Sequence, residues 1–394
     1  MTRKHHLALI AALVCTAALV AAGCKSSSRS AVGRPSEIPI GEFVSLTGTT
    51  ATYGNSMHRG VQMAVDETNA AGGVNGMRLR LITEDDAGKP DVARAAVSKL
   101  ITQDKVIAVI GEVASTRSLA AAPICEQYKV PMISPGSTNP IVTLKGAYIF
   151  RVCFTDDFQA AVVAHFAYDK SFRRVAIFKD IKNDYSVAFA SSFASEFKKL
   201  GGQIVAEQVF QEGDTDFKAQ LTTLKAANPD AVLIPGYYSE VGTIARQARE
   251  VGLAVPLLGG DGWDSPRLIP GAGGPGGALE GCFFSDHYFS PELKDKTTQT
   301  FLSAFEKKYS QKPDAIAALS YDAARVLVDA IGRCPKLDST ALRDSIAATK
   351  DFPGVTGKIT FDANRNARKA ALIFQIKGDR FHVVRSYTPE QIGL

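Results

Sequence analysis

Two successive runs of alternating strand-like and helix-like segments constrain the fold of this chain more than any other feature. In the first run, the strand-like segment Ile38–Leu46 precedes a helical stripe of apolar residues within 55–69, and similar pairs follow up to residue 153. The alternation then begins again and continues to residue 258. Such alternation is typical of parallel sheets with helices on both faces. Two runs therefore predict an α/β protein with two doubly wound parallel-sheet lobes.

The C-terminal part of the chain departs from this alternation. Residues 292–309 and 314–332 have helical periodicity, residues 355–362 predict one arm of a hairpin, and residues 371–376 and 382–385 predict a final pair of strands. Such late elements could complete both sheets, with the chain crossing between the lobes more than once.

The first 24 residues have the pattern of an export signal. A basic start precedes an apolar run at residues 7–22, which is too short for a membrane-spanning helix of about 20 residues. The run leads into Cys24 and resembles a bacterial lipoprotein signal, in which that cysteine is lipidated. We predict a signal peptide at 1–23, a lipidated Cys24 and tether at 24–37, and a lipid-anchored extracytoplasmic domain in the periplasm or on the outer cell surface. An ordinary secretory signal is the alternative.

The mature chain is long and only weakly basic. Removal of residues 1–23 leaves 371 of the 394 residues, which is more than one hydrophobic core usually organises. The whole chain has a formal net charge of +5, and Arg3 and Lys4 supply two of these charges, so the mature chain carries about +3. It contains no dense cluster of Lys and Arg, and nucleic acid is therefore not indicated as a partner.

Four cysteines follow Cys24, and an oxidising compartment permits disulfides between them. Zinc or thioredoxin-like chemistry is not indicated, because there is no C-x-x-C motif. Four cysteines allow three pairings. We predict a Cys125–Cys153 disulfide, since a helix and a strand leaving the same lobe could bring these residues together. Cys282 and Cys334 would form the other pair.

Small polar residues follow the predicted strands of the first run, where open α/β sheets bind ligands. Ser115 begins a predicted helix, so its hydroxyl and the free N–H groups of that helix would favour an anion such as a carboxylate. Ser137 and Thr138 lie in the loop after the next strand and could add hydroxyl donors. The alternative is that these residues are only helix caps and turn residues.

The second run offers polar and aromatic residues at the corresponding positions. Asp261 follows a predicted strand among glycines, which let a ligand approach the backbone closely, and its carboxylate suits a ligand ammonium group. Tyr185 and Tyr237 offer an apolar face and a polar tip to the same cleft. The alternatives are a turn aspartate for Asp261 and a packing role at the lobe hinge for Trp263.

Catalytic and metal-binding patterns are absent from the sequence. There is no G-x-S-x-G, H-E-x-x-H or P-loop motif. A formal G-x-G-x-x-G match at 271–276 carries Pro275 where a helix should open, so we interpret it as a loop. The triplet Glu84-Asp85-Asp86 is interpreted as a solvated turn. We therefore predict no enzymatic activity, no metal and no cofactor.

A series of motifs resembles the leucine/isoleucine/valine-binding proteins of ABC transporters, which have the type I periplasmic binding fold. The resemblance runs from about residue 38 to near the C-terminus and rests on these motifs: Ser45-Leu46-Thr47-Gly48, Tyr53-Gly54, Asn69 to Gly76, Glu84-Asp85-Asp86-Ala87, Pro131 to Pro140, Phe150-Arg151 and Gly236-Tyr237-Tyr238.

The resemblance implies two Rossmann-like lobes joined by a hinge that close on an amino acid. Lobe 1 would comprise 38–155 and 287–370, and lobe 2 would comprise 156–286 and 371–394. The implied partners are an amino acid ligand and ABC permease subunits, with the protein a monomer. Relatives also bind amides, urea, aromatic acids or other amino acids, so another small ligand or a sensing role is the alternative.

The resemblance also assigns roles to individual residues, and the positions agree with those selected from the loops. The ligand carboxylate would contact Ser115 and Thr138 and backbone groups of Val113 and Gly136. The aromatic residues around the ligand and the acid that receives its ammonium group would be Tyr53, Tyr185, Tyr237 and Asp261. Several relatives have glutamate where this chain has Asp261, and an aromatic residue in a late helix of some relatives would fall near Ala317–Ala318.

Overall fold

Two separate sheets carry the alternation of strands and helices in this computed structural model, which describes residues 37–287, 289–290 and 292–393. The strands are β1 (Glu37–Val44), β2 (Arg78–Asp85), β3 (Val109–Ile110), β4 (Met132–Ser134), β5 (Ile149–Arg151), β6 (Arg174–Asp180), β7 (Gln203–Phe210), β8 (Ala231–Leu233), β9 (Leu257–Gly259), β10 (Phe283–His287), β11 (Phe352–Gly354), β12 (Gly357–Ile359), β13 (Ala371–Lys377) and β14 (Arg380–Tyr387).

Helices connect most of these strands. They are α1 (Ala51–Ala70), α2 (Pro90–Thr102), α3 (Ser115–Tyr128), α4 (Ile141–Leu144), α5 (Asp156–Asp169), α6 (Asp184–Lys199), α7 (Lys218–Ala226), α8 (Tyr238–Glu250), α9 (Leu268–Gly271), α10 (Lys296–Tyr309), α11 (Ala315–Arg333) and α12 (Ser339–Ala347), with 3₁₀ turns at Asp261–Trp263 and Pro389–Ile392. None of the helices in the described residues is both long and apolar enough to cross a membrane.

The first sheet is entirely parallel, with the strand order β2-β1-β3-β4-β5. Its central strands are buried on both faces, as a sheet covered by helices on both sides requires. The late helix α11 packs against α1 on this sheet. Gly60 allows the close approach, because a Cβ atom there would lie 2.2 Å from the carbonyl oxygen of Ala317.

The second sheet has a parallel core, and the predicted final pair of strands adds an antiparallel edge to it. Its order is β14-β13-β10-β9-β8-β6-β7. Strands β6 to β10 are parallel, whereas β13 pairs antiparallel with both β10 and β14. The predicted final pair of strands is a hairpin, and a hairpin can join a sheet only with antiparallel pairing. Both late strands therefore extend the second sheet, while the late helix α11 packs on the first.

The predicted Cys125–Cys153 disulfide is wrong. All four cysteines in the described residues are buried free thiols, so Cys282 and Cys334 are not paired either. Cys125 lies in α3 and belongs to the apolar cluster on one face of the first sheet, whereas Cys153 belongs to the cluster on the other face. The sheet itself separates the two sulfur atoms. The predicted signal peptide and Cys24 lie outside the described residues.

Candidate functional site

Residues from both lobes line one narrow cavity. Eight of the nine residues predicted to bind a ligand line it, together with two residues that were not predicted. The predicted ones are Tyr53, Val113, Ser115, Gly136, Thr138, Tyr185, Tyr237 and Asp261, and the additional ones are Gly262 and Ile316.

The first lobe contributes hydroxyl groups at the N-terminus of a helix. Ser115 is the first residue of α3, and its Oγ accepts a hydrogen bond from the backbone N–H of Asn139 at 3.1 Å. This contact joins the loop after β3 to the loop after β4, which carries Thr138. Because Oγ accepts in that bond, the hydroxyl proton of Ser115 remains a donor. Hydroxyl donors and free helical N–H groups together favour an anion.

Ser137 does not line the cavity, contrary to the prediction. Its hydroxyl donates to the carbonyl oxygen of Glu112 at 2.8 Å and lies 2.7 Å from the hydroxyl of Ser118. Its backbone N–H donates to Ser134 Oγ at 2.9 Å. Ser137 therefore fixes the shape of the loop instead of facing a ligand.

A buried arginine holds the same loop from behind. Arg151 in β5 is completely buried, and it donates to the carbonyl oxygens of Ser137 at 2.6 Å and Asn139 at 2.7 Å. Its partners in the loop are carbonyl oxygens, not carboxylates. The fork of the guanidinium group spans two carbonyls that a lysine could not reach together.

A buried acid–base network supports the residues before α3. Glu112 accepts from Arg117 Nε at 3.0 Å, from the backbone N–H of Ala114 at 2.6 Å and from Ser45 Oγ at 2.8 Å. Ser45 also lies 2.6 Å from Asp86, which is fully buried. The interpretation of the acidic triplet as a solvated turn is therefore wrong for Asp86.

Asp86 should make the stability of the protein depend on pH. Burial, and then the charge of Glu112, raise the pKa of the Asp86 carboxyl to about 7, above about 3.9 in an unfolded chain. The folded state binds this proton more tightly, so the stabilisation is complete below about pH 4 and is lost as the pH rises through about 7. This carboxyl group alone should lower the free energy of unfolding by on the order of 4 kcal/mol across that range.

Urea unfolding at several pH values checks this expectation. Asp86→Asn should flatten the dependence and be more stable than the wild type at about pH 8. Asp85→Asn is the matched control. Burial raises the pKa of Asp85, but its several hydrogen bonds together outweigh burial and lower the pKa, so this substitution should change the pH dependence in the opposite direction. Parallel curves for the wild type and Asp86→Asn would contradict the assignment.

Tyrosines form the aromatic wall of the cavity and connect the two lobes. Tyr185 and Tyr237 of the second lobe stack with ring centroids 5.5 Å apart. Tyr53 of the first lobe lies edge-on to Tyr237 at 5.6 Å, and its hydroxyl donates to the carbonyl oxygen of Gly262. A Cβ atom at Gly262 would lie 2.9 Å from the Tyr237 ring, so this glycine makes room for the tyrosine.

Polar contacts around the cavity also join the lobes. Asn139 Nδ2 donates to the carbonyl oxygen of Asp184 at 2.9 Å, and the backbone N–H of Thr52 donates to the Tyr238 hydroxyl at 3.3 Å. Asn183 caps α6 by accepting from the backbone N–H of Tyr185 at 3.1 Å, which fixes this tyrosine in the first turn. The cleft is therefore closed over the cavity.

The Asp261 carboxylate is the negative group of the cavity, and its two oxygens have different neutral partners. Oδ1 accepts from Gln159 Nε2 at 2.9 Å, and Oδ2 lies 3.2 Å from His287 Nε2. No lysine or arginine in the described part of the chain forms an ion pair with Asp261. A buried carboxylate without a cation is costly, so the site is electrostatically suited to a cationic group.

Titratable neighbours surround this carboxylate without neutralising it. Gln159 Nε2 also donates to Asp156 at 2.8 Å, and burial, with the charge of Asp261, raises the pKa of Asp156 well above its ordinary value. Burial lowers the pKa of His287 below its ordinary value, although the hydrogen bond to Asp261 acts in the opposite direction. Both shifts favour the neutral forms of these neighbours.

Four residues of the site were not predicted from the sequence: Gly262, described above, and three others. Ile316 in α11 lines the cavity, and Gln159 and His287 contact Asp261 from α5 and β10. The sequence could have indicated Gln159, because it is a polar residue in an otherwise apolar stretch of its helix. Trp263 is fully buried and donates to the carbonyl oxygen of Ile234 at 3.0 Å, so it is a packing residue.

Metal chemistry has no support in the described residues, where no three or more His, Cys, Asp or Glu side chains are placed to hold a metal ion. The cavity instead combines hydroxyl donors, aromatic rings and one carboxylate. This arrangement can bind a small molecule with a negative end and a positive end.

The sequence model of a family described as periplasmic binding proteins matches residues 37–380. The chain belongs to this family. It is 31% identical to the Leu/Ile/Val-binding protein homolog 2 of Brucella abortus over 352 residues, which are 89% of this chain and 91% of that relative. Membership of this family of solute-binding proteins confirms that the chain is not an enzyme.

Two solved structures resemble this periplasmic binding protein closely. The leucine binding protein LivK of Thermotoga maritima is 38% identical with a TM-score of 0.85, covering 90% of this chain and 99% of that one. LivJ of Streptococcus pneumoniae, solved with isoleucine, is 34% identical with a TM-score of 0.84, covering 90% of this chain and 100% of that one. These similarities confirm the predicted fold of two Rossmann-like lobes joined by a hinge.

Proposed function

We propose that this periplasmic binding protein captures a branched-chain or other small apolar amino acid between its lobes for an ABC importer. The observation that carries the proposal is the pairing of two opposite poles in one cavity. The hydroxyl of Ser115 at the N-terminus of α3 and that of Thr138 in the loop after β4 suit a carboxylate. The Asp261 carboxylate, which has no lysine or arginine partner in the described residues, suits an ammonium group.

The space between the two poles favours a small aliphatic side chain. The narrow cavity is bounded by Val113, Ile316 and the three tyrosine rings, which are apolar walls. Micromolar affinity requires about −8 kcal/mol. An aliphatic side chain supplies about 1.5–3 kcal/mol by burial, so charge-assisted hydrogen bonds of about 1.5–3 kcal/mol each must supply most of the remainder.

Delivery to a membrane permease and anchoring belong to the same proposal. Closure of the lobes around the amino acid would create the form that permease subunits recognise. We propose hinge boundaries near residues 155, 286 and 370, because the chain passes from one sheet to the other at each of them. Strand β5 belongs to the first sheet and β6 to the second. After β10 of the second sheet, α11 packs against α1 on the first sheet, and β13 then returns to the second. Lipidation at Cys24 would hold a monomeric protein outside the cytoplasmic membrane.

A thermal-shift screen of the mature domain, lacking Cys24, tests the proposal. Leu, Ile or Val should raise the melting temperature by several degrees, since a hundredfold excess over Kd stabilises by about 2.7 kcal/mol. The twenty amino acids, aliphatic amides, urea and aromatic acids form the panel. Stabilisation by an aromatic acid or an amide, with every amino acid inactive, would contradict the role of Asp261 while leaving a solute-binding function.

A further inference from the structure

The ammonium-binding carboxylate has a titratable neighbour that the proposed function does not use. We infer that a proton on His287 competes with the ammonium group of the ligand for Asp261, so that this histidine sets the lower pH limit of amino acid capture. The inference deepens the proposed function and rests on it. His287 would act on the ligand through Asp261 and is therefore a positioning residue.

The geometry around His287 defines its neutral form. The side chain is fully buried and its ring stacks on Phe154, with centroids 4.0 Å apart. Nε2 lies 3.2 Å from the carboxylate of Asp261 and donates to it, so the neutral ring carries its proton on this nitrogen. Nδ1 is buried and has no hydrogen-bond partner within the described residues. Nδ1 is therefore the atom that accepts a second proton.

Charged and polar groups reach this histidine from each element packed against it. Helix α5 contributes Asp156 and Gln159, which share a hydrogen bond. On β10, the backbone N–H of His287 donates to Asp286 at 2.7 Å. Lys369, before β13, is buried beside Asp322, and burial lowers its pKa to about 8. Asp261 is the carboxylate in direct contact with the imidazole, at 3.2 Å, whereas burial raises the pKa values of the Asp156 and Asp286 carboxyl groups.

The sign of the effect follows from these contacts. A second proton would make His287 a cation against the oxygen that should receive the ligand ammonium, and two cations would then share one buried carboxylate. The ligand must therefore bind with release of that proton. Burial lowers the pKa of His287, so at about pH 7.5 the ring is neutral and capture is unimpeded. Below that pKa, affinity should fall about tenfold for each pH unit.

Calorimetric titration with L-leucine between about pH 8 and pH 4.5 tests this inference. The wild type should lose affinity on the acid side and release one proton per ligand, measured in buffers of different ionisation enthalpy. His287→Gln keeps a donor for Asp261 but cannot titrate, and its affinity should be nearly constant over the same range. Deaminated leucine, 4-methylpentanoate, has no ammonium group, and its own carboxyl group takes up a proton in the acid part of this range, so its acid-side loss should be the same in the wild type and in His287→Gln.

Two further variants separate His287 from other titrating groups. His58→Gln removes a half-buried histidine on Glu42, whose pKa that contact raises, and should leave the pH profile unchanged. Asp156→Asn should keep the acid-side slope, because the competing proton is on the imidazole. Loss of the slope in Asp156→Asn would overturn the inference in favour of the carboxyl group.

The outcomes distinguish this inference from the function on which it rests. A flat profile for a bound amino acid, or an unchanged slope in His287→Gln, would overturn the competition and leave the proposed function intact. A smaller acid-side loss for 4-methylpentanoate in His287→Gln than in the wild type would also overturn it, because the effect of His287 would then not involve the ammonium group. If no amino acid binds at about pH 7.5, the proposed function fails and the competition fails with it.

Discussion

Asp261→Ala should weaken binding of the native amino acid by about a hundredfold or more. The ligand ammonium would remain buried in the closed cavity without the carboxylate that balances its charge, and truncation of one partner of such a pair costs about 2–5 kcal/mol. The neutral partners Gln159 and His287 cannot replace it, because the nearest atoms they present are N–H donors. Isothermal titration calorimetry at about pH 7.5 measures the loss.

The comparison with a single hydroxyl makes this prediction specific. Ser115→Ala removes one of several donors to the ligand carboxylate, so we expect a loss of about 1 kcal/mol, or less than about tenfold in affinity. Asp379→Ala removes an exposed aspartate at the β13–β14 turn and should have no effect on binding. Unchanged affinity in Asp261→Ala, or a loss no larger than that of Ser115→Ala, would refute the amino acid pose.

The positions of the cavity residues could be predicted because they follow strands. In a parallel α/β sheet the carboxyl ends of neighbouring strands lie along one edge, so loops distant in sequence meet there. Ser115, Thr138 and Asp261 all occupy such positions, and their polar character distinguished them from the apolar strands. This rule depends only on strand order along the chain, which periodicity indicates.

The partners behind these residues could not be predicted, because they depend on packing. Gln159 and Asp261 are 102 positions apart, and only the seating of α5 on the second sheet brings them into contact. The same limit explains the disulfide error, since periodicity places Cys125 on a helix but does not say which face of the sheet that helix covers. The burial of Asp86 could not be predicted either, because it depends on a partner distant in sequence, Ser45.

Removal of the buried guanidinium group at Arg151 should produce the largest loss of stability. Arg151→Met keeps much of the side-chain volume but leaves the carbonyl oxygens of Ser137 and Asn139 buried without donors. An unpaired buried polar group costs about 1–3 kcal/mol, so we expect the free energy of unfolding to fall by about 3 kcal/mol or more. Urea unfolding monitored by circular dichroism gives this value.

The same substitution should affect binding, because the two carbonyl groups belong to the loop that carries Thr138. Loss of the guanidinium fork lets this loop relax, and the hydroxyl then no longer has one fixed position for the ligand carboxylate. We expect affinity to fall by about tenfold even at temperatures where Arg151→Met remains folded. Arg151→Lys retains the charge and N–H donors but lacks the planar fork that spans the two carbonyl groups, so its stability should lie between those of the wild type and Arg151→Met. Arg94→Met, on the exposed face of α2, is the control and should change stability by less than about 0.5 kcal/mol. If Arg151→Met were as stable as Arg94→Met, the loop would be held by other contacts and its shape would not depend on the buried arginine.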